Sequence, residues 1–455
     1  MFSPQRAFSV VLTVAVCSLT ACSIAGGSGR SLPAPQRARA ANKPAASSGP
    51  IQHIVIMIQE NRSFDDFFAT FPGADGATTG KRHNGKIIPL KEQTLAGLDI
   101  NHTWHDYVRD YDSGNMDGFD LSYIGQQPAG TYPYQYVNPA QIAPYWTIAR
   151  QYALADHMFQ TQGSGSFTAH QDLIAGGTAI DPYDSLVDTP SSSLFWGCDA
   201  PPSTTTSLIT TGGQYLLDQG PFPCLTYPTG TLRDLLDAQK VSWKYYTPPH
   251  KQSTAGALWN AFAAIAAVRH GLEWATNISI PETNVLSDIA TKRLPAVAWV
   301  IPDQPDSDHP HRPHGIYHGP EWVASVVNAI GTSSYWKTTA IVIVWDDWGG
   351  FYDHEPPPFL DTAGGLGFRV PMLVVSPYVP AGTISHTQYE FGSILKFVEG
   401  TFNLGSLGTT DARATSISDI FNFNQQPRAF SPIPAVLNRR YFLHRPPSYE
   451  PVDSQ

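Results

Sequence analysis

Four runs of the chain are apolar at nearly every position. They are Ile54–Ile58 in "HIVIMIQEN", "LPAVAWVIP" from Leu294, "TTAIVIVWDD" from Thr338 and "VPMLVVSPY" from Val370. None alternates like a half-buried strand or carries the three-to-four spacing of an amphipathic helix. Short length and β-branched content predict strands buried on both faces. Helical candidates separate or follow them: "TLRDLLDAQ" from Thr231, "ALWNAFAAIAAVRHGLEWA" from Ala257, "EWVASVVNAI" from Glu321 and "EFGSILKFVEGTF" from Glu390. This alternation predicts an α/β fold, a mostly parallel central sheet flanked by helices on both faces.

The polar residues that follow these runs carry the chemical signal. Ile54–Ile58 leads into Gln59, Glu60 and Asn61, and the run from Thr338 ends in Asp346 and Asp347. A third, ending at Ile301, leads into "PDQPDSDHPHRPH". Open parallel sheets bind ligands beyond the carboxyl ends of their strands. Consecutive strand side chains point to opposite faces, so Asp346 and Asp347 can share a ligand only if the backbone turns there. Gly349 and Gly350 make that turn easy. Two crowded carboxylates repel, and a hard divalent cation taking Asp, Glu and Asn oxygens removes the conflict. The bland alternative is that the acid pair caps a helix or faces solvent.

The chain ends add compartment and organisation. "MFSPQRAFSVVLTVAVCSLTACS" has an apolar core too short to span a bilayer comfortably, so residues 1–22 read as a secretory signal. "LTAC" resembles a bacterial lipobox, which makes Cys22 the expected lipidation site; an ordinary signal peptide is the alternative. The expected location is therefore outside the cytoplasm, membrane-anchored on the periplasmic side or cell surface, or else secreted. Residues 23–50, rich in Ala, Ser, Gly and Pro, predict a flexible linker. A catalytic domain is expected over 51–430, and 431–455 reads as a loose tail. The Ser-, Thr-, Pro- and Gly-rich stretch 180–230 predicts a surface excursion. Cys198 and Cys224 are candidates for one disulfide in an exported chain, the pairing being open. With a net charge of −10 and no basic run, nucleic-acid binding is not expected.

Six blocks in one order carry a family resemblance: "IVIMIQENRSFDDFF", "HDYVRDYDSGNMDGFD", "YALADHMF" with "GSGSFTAHQDLIAGGT", "SDHP", "WDDWGGFYDHEPPP" and "SPYVPAGTISHTQYEFGSILKFVE". Together they resemble the bacterial phosphoesterase family of phosphatidylcholine-type phospholipases C and AcpA-type acid phosphatases, with an alkaline phosphatase-like core. The resemblance implies one divalent metal ion (Ca, Mn, Mg or Zn) held by Glu60, Asn61, Ser166, Asp346 and Asp347. It implies Ser166 as nucleophile and His102, His309 and Asn61 as groups around the phosphoryl oxygens or the leaving group. His354 is expected to brace the acidic loop from behind. Glu355 departs from the small apolar residue usual at that position.

Residue chemistry agrees with these roles. A Ser hydroxyl is a poor nucleophile until metal coordination supplies the alkoxide. Unaided, Ser166 is a Ser in a Gly-rich loop, and Ser164 is its natural rival. Trp345, Trp348 and Phe351 are expected to pack around the site rather than to form a cage for a quaternary ammonium. The expected function is phosphate-ester hydrolysis, phospholipase C-type cleavage of phospholipids first, at a membrane surface reached through the lipid anchor. The alternatives are an acid phosphatase on the same core and a non-catalytic surface binding protein on a degenerate scaffold.

Overall fold

The computed structural model describes residue 47 and residues 49–311, 317–358 and 365–452. The expected signal segment, Cys22 and nearly all of the expected linker lie outside the described residues. Eight strands form the main sheet: β1 (His53–Gln59), β2 (Ala153–Ala155), β3 (Trp243–Tyr246), β4 (Ile278–Ser279), β5 (Val297–Val300), β6 (Thr339–Trp345), β7 (Met372–Val375) and β8 (Thr383–Ser385). Their order is β4–β3–β5–β1–β6–β7–β2–β8.

The four fully apolar runs are the neighbours β5, β1, β6 and β7. Strands β4, β3, β5, β1 and β6 pair in parallel, and so do β2 and β8. Strand β7 alone runs antiparallel to both of its neighbours. A strand in mid-sheet is buried on both faces whichever way it runs, so its composition does not report its direction. Among the described residues no helix is long and apolar enough to cross a membrane.

Side-chain parity assigns the two faces. Ile56 pairs with Trp299 of β5 and with Val342 of β6, so these three share a face. On that face Trp299 donates its indole N–H to Leu173 O of the helix Ser166–Ala175. Trp345 lies three residues after Val342, hence on the other face, where its ring meets Tyr145 of the helix Ala143–Gln151 at 4.9 Å. Both faces are therefore covered by helices. Ile54, Val55, Ile56 and Ile58 are at most 1% exposed, and each contributes about 1.5–3 kcal/mol through burial.

Three segments differ from expectation. The apolar run from Ala257 breaks into four short pieces rather than one helix: Ala255–Leu258, Ala261–Ala264, Ala266–Arg269 and Glu273–Thr276. Its backbone is claimed by the 180–230 excursion. Trp196 N donates to Ala257 O, Cys198 N to Ala263 O and Leu225 N to Ala264 O, while Ala266 N donates to Leu225 O. The described part of the tail, residues 431–452, is docked rather than loose. Phe442 is fully buried, 5.3 Å from the Trp322 ring, and Arg445 binds Asp303 and Asp306 at 2.7 Å each. Those partners lie over a hundred residues upstream, which no local pattern reveals. The excursion itself carries a three-stranded antiparallel sheet, Asp184–Val187, Ser207–Thr210 and Tyr215–Leu216.

Cys198 and Cys224 are joined by a disulfide across 26 residues. Closing a loop of that length restricts the unfolded chain by about 3 kcal/mol. The Cys198→Ser/Cys224→Ser double variant is expected to lose about that much in a urea titration. A loss under about 1 kcal/mol would show that the excursion holds without the bond.

Candidate active site

The carboxyl ends of β1 and β6 meet side by side. Gln59 is in register with Trp345, and Asp346 N continues the ladder to Gln59 O at 3.0 Å. The next residues, Glu60 and Asn61 on one strand and Asp346 and Asp347 on the other, therefore share one rim. Asn61 leaves the sheet with φ +56°, a left-handed conformation that Asn tolerates better than most residues. In that pose its backbone N–H donates to Asp346 Oδ1 at 3.0 Å. The turn after the acids is equally constrained. Gly349 has φ +61°, and a Cβ there would sit 2.4 Å from Asn61 O. Its N–H donates to Asp347 Oδ1 at 2.8 Å, holding that carboxylate toward the rim.

Ser166 is the first residue of the helix Ser166–Ala175, and its hydroxyl meets this rim. Its Oγ lies 3.0 Å from Asp347 Oδ2 and 3.5 Å from Asn61 Oδ1. The first N–H groups of a helix lack intrahelical partners and carry positive partial charge, which favours an oxyanion at this position. Ser164, the rival, is fully buried, and its Oγ accepts from Asp188 N at 2.6 Å. It braces the loop and does not face the rim.

Histidines complete the arrangement. His102 Nε2 lies 2.8 Å from Asn61 Nδ2 and 3.6 Å from Asp347 Oδ2, with Nδ1 on Ile100 O at 2.6 Å. Burial disfavours its charged form, but Asp347 and then Asp99 outweigh that and raise it to about 9. His309 lines one cleft with Ser166 and His102, and its ring stacks on Trp259 at 5.5 Å. His170 is one turn beyond Ser166 on the same helix face. Its Nε2 sits 2.9 Å from Glu60 Oε1 and 3.8 Å from Asp346 Oδ2.

These groups suit a divalent cation. Glu60, Asp346 and Asp347 are all fully buried. Burial first, then Asp346, pushes Glu60 well above the ordinary carboxylate range, and the same two causes raise Asp347 to about 8. No protein donor reaches Glu60 Oε2, Asp346 Oδ2 or His170 Nδ1 among the described residues. One ligand atom each of Glu60, His170 and Asp346 lies within 4.8 Å of the others. Three desolvated carboxylates, two of them with an orphaned oxygen, are costly unless a cation joins them.

Of the residues singled out in the sequence, Glu60, Asn61, Ser166, Asp346, Asp347 and His102 come together directly, and His309 faces them across the cleft. His354 stands apart, its Nδ1 2.7 Å from Asp65 and its Nε2 3.5 Å from Asp75. Trp345, Trp348 and Phe351 are fully buried and pack, Trp348 lying 5.9 Å from the His102 ring. Two contributors were not among the expected site residues. His170 carried a legible signal, the i, i+4 spacing from Ser166. Trp196, which lines the cleft from the excursion, carried none.

Behind His309, Asp308 Oδ2 accepts from Tyr145 Oη at 2.7 Å and from Trp345 Nε1 at 3.1 Å. Burial pushes this carboxyl to about 7, against the lowering pull of Tyr145, Arg62 and Trp345. A folded-state value above the unfolded one contributes stability that is complete below pH ~4 and is lost as pH rises through about 7. Asp308→Asn is expected to flatten the fall of Tm between pH 5 and 7.5. Parallel Tm–pH curves for variant and wild type would contradict the assignment.

The comparisons with known proteins fall on this same chain segment. The model of the phosphoesterase family matches residues 51–405. Phospholipase C A of Mycobacterium tuberculosis is 25% identical over 437 residues, covering 84% of this chain and 79% of that protein. A non-hemolytic phospholipase C of Pseudomonas aeruginosa is 24% identical, covering 83% and 58%. Non-specific phospholipase C6 of Arabidopsis thaliana is 25% identical, covering 84% and 74%. Among solved structures, a protein in the alkaline phosphatase superfamily from Vibrio parahaemolyticus matches 83% of this chain and 73% of its own. Its identity is 11% and its TM-score 0.39. The chain belongs to the phosphoesterase family and is a hydrolase acting on phosphate esters.

Proposed function

We propose that this protein is an exported, metal-dependent phosphoesterase with Ser166 as nucleophile, and that its preferred reaction is phospholipase C-type cleavage of a phospholipid phosphodiester. The observation that carries the reading is Ser166 Oγ at a helix N-terminus, 3.0 Å from Asp347 and on the rim shared with Glu60 and Asp346. Glu60, Asn61, Ser166, Asp346 and Asp347 would hold the cation, with His170 as a sixth donor. When bound, the cation supplies Lewis acidity and lowers the proton affinity of the Ser166 hydroxyl.

The chain's own groups do the rest. Ser166 Oγ gives up its proton to solvent water and attacks phosphorus; an O–P bond forms as the bond to the alcohol breaks. Asn61 donates to a non-bridging oxygen through its amide, and His102, held positive by Asp347, stabilises the charge there. His309, across the cleft, gives its proton to the leaving alkoxide. Water then attacks the phosphorus of this ester, Ser166 Oγ leaves and regains its proton, and the phosphorylated head group is released. Relatives named phospholipase C support the diester as substrate. An anchor at Cys22 would keep the site at a lipid surface.

The test compares hydrolysis of p-nitrophenylphosphorylcholine and p-nitrophenyl phosphate, with and without chelator. Faster turnover of the diester, lost with chelator and restored by a divalent cation, is expected. Preference for the monoester would make the protein an acid phosphatase. Inactivity on both esters with every added metal would favour the binding-protein alternative. Full activity after exhaustive chelation would remove the metal from the reading.

A further inference from the structure

A second cluster of metal-ligating groups lies away from Ser166. One donor atom each of Asp75, His354 and Glu355 falls within 4.8 Å of the others. His354 Nε2 is 3.5 Å from Asp75 Oδ1, and His157 Nε2 is 3.3 Å from Asp75 Oδ2. Those separations equal the edge of a tetrahedron whose metal–ligand bonds are about 2.0–2.1 Å. Two imidazoles thus present the same nitrogen to the two oxygens of one half-exposed carboxylate.

Each imidazole is oriented from behind by a buried acid. His354 Nδ1 lies 2.7 Å from Asp65, and His157 Nδ1 lies 2.9 Å from Asp156. Both aspartates have fully buried side chains. A carboxylate behind Nδ1 places the proton there and leaves Nε2 as the ligating nitrogen, the arrangement common in carboxylate–histidine–zinc sites.

The acidic partners are held as well. Asp75 N donates to Asp156 Oδ2 at 2.9 Å, and Asp75 O accepts from Arg369 Nη1 at 2.8 Å. Glu355 N donates to Asp353 Oδ1 at 3.0 Å. The neighbouring positive charge is Arg369, whose Nη1 is 3.9 Å from Asp75 Oδ2 and whose Nη2 is 3.1 Å from His354 Nδ1. It is turned chiefly to Asp353 at 2.8 Å. One guanidinium lies within 3.9 Å of the carboxylates of Asp65, Asp75 and Asp353, an excess of negative charge that accommodates a divalent cation.

We propose that Asp75, Glu355 and His354 form a second metal site, with His157 beside Asp75, separate from the catalytic rim and selective for Zn²⁺ through its mixed imidazole and carboxylate donors. A bound ion ties the loop carrying His354 and Glu355, which follows the catalytic acids, to the turn carrying Asp75. This site does not depend on the reaction assigned to Ser166.

The test uses the full chain and Zn²⁺ alone, measured by competition with a chromophoric chelator, in an Asp346→Asn background that disables the catalytic rim. One Zn²⁺ per chain is expected. Adding Glu355→Ala should weaken its affinity at least ~10-fold, and Asp75→Asn at least as much. Co²⁺ in place of Zn²⁺ should show the visible absorption of a tetrahedral site, lost in Glu355→Ala. Glu355 keeps its backbone bond in the alanine variant, so folding is not at stake there. No Zn²⁺ bound in the Asp346→Asn chain, or unchanged affinity in both added variants, would overturn the proposal.

Discussion

Ser166→Ala is expected to lower kcat for p-nitrophenylphosphorylcholine by roughly 10⁴-fold or more, with KM little changed. The hydroxyl donates to Asp347 Oδ2 at 3.0 Å from the helix side of the rim. On the proposed mechanism, removing Oγ deletes the attacking group and one donor to a cation, but the cleft walls, His102 and His309 stay in place. Residual activity should come from water attacking a substrate still held by those groups. Ser164→Ala is the control. Its loss should appear in stability, because Ser164 Oγ satisfies Asp188 N inside the loop. Full activity in Ser166→Ala, or a collapse of kcat in a well-folded Ser164→Ala, would reverse the two roles.

The largest stability effect is expected at Arg369. Its side chain is fully buried, with Nε 2.8 Å from Asp353 Oδ1 and Nη2 3.5 Å from Asp65 Oδ1. Nη1 donates to Asp75 O and Asp156 O at 2.8 Å each. The guanidinium also lies 4.7 Å from the Phe64 ring. Arg369→Met removes the cation but leaves Asp65 and Asp353 buried, a loss of about 3–5 kcal/mol. Arg369→Lys should fall between, since an ammonium cannot reproduce the planar fork. Urea unfolding of the three proteins checks this. A loss below about 1 kcal/mol in Arg369→Met would mean that the acids are neutralised some other way.

Much of the architecture was legible because it rests on composition. A strand flanked by others and covered on both faces must be apolar throughout, and β5, β1, β6 and β7 are. The acids of the rim were legible because they interrupt that composition at the strands' carboxyl ends. What failed in the sequence reading shares one cause. The apolar run from Ala257 has a strong helical appearance, yet its carbonyls accept bonds from Trp196, Cys198 and Leu225. Phe442 and Arg445 belong to the domain because Trp322, Asp303 and Asp306 receive them. The antiparallel direction of β7 is likewise invisible in its residues.

By itself the sequence determined an α/β chain, the strand ends that carry Glu60, Asn61, Asp346 and Asp347, and six ordered blocks that resemble one family. Only the tertiary structure decided that Ser166 rather than Ser164 faces the acids, that His170 stands beside Glu60, and that His354 looks away toward Asp75. The reason is physical. Burial follows from each residue's own transfer free energy and can be read locally. Coordination and hydrogen bonding depend on where side chains distant in sequence are brought, and the packing of the whole sheet sets that.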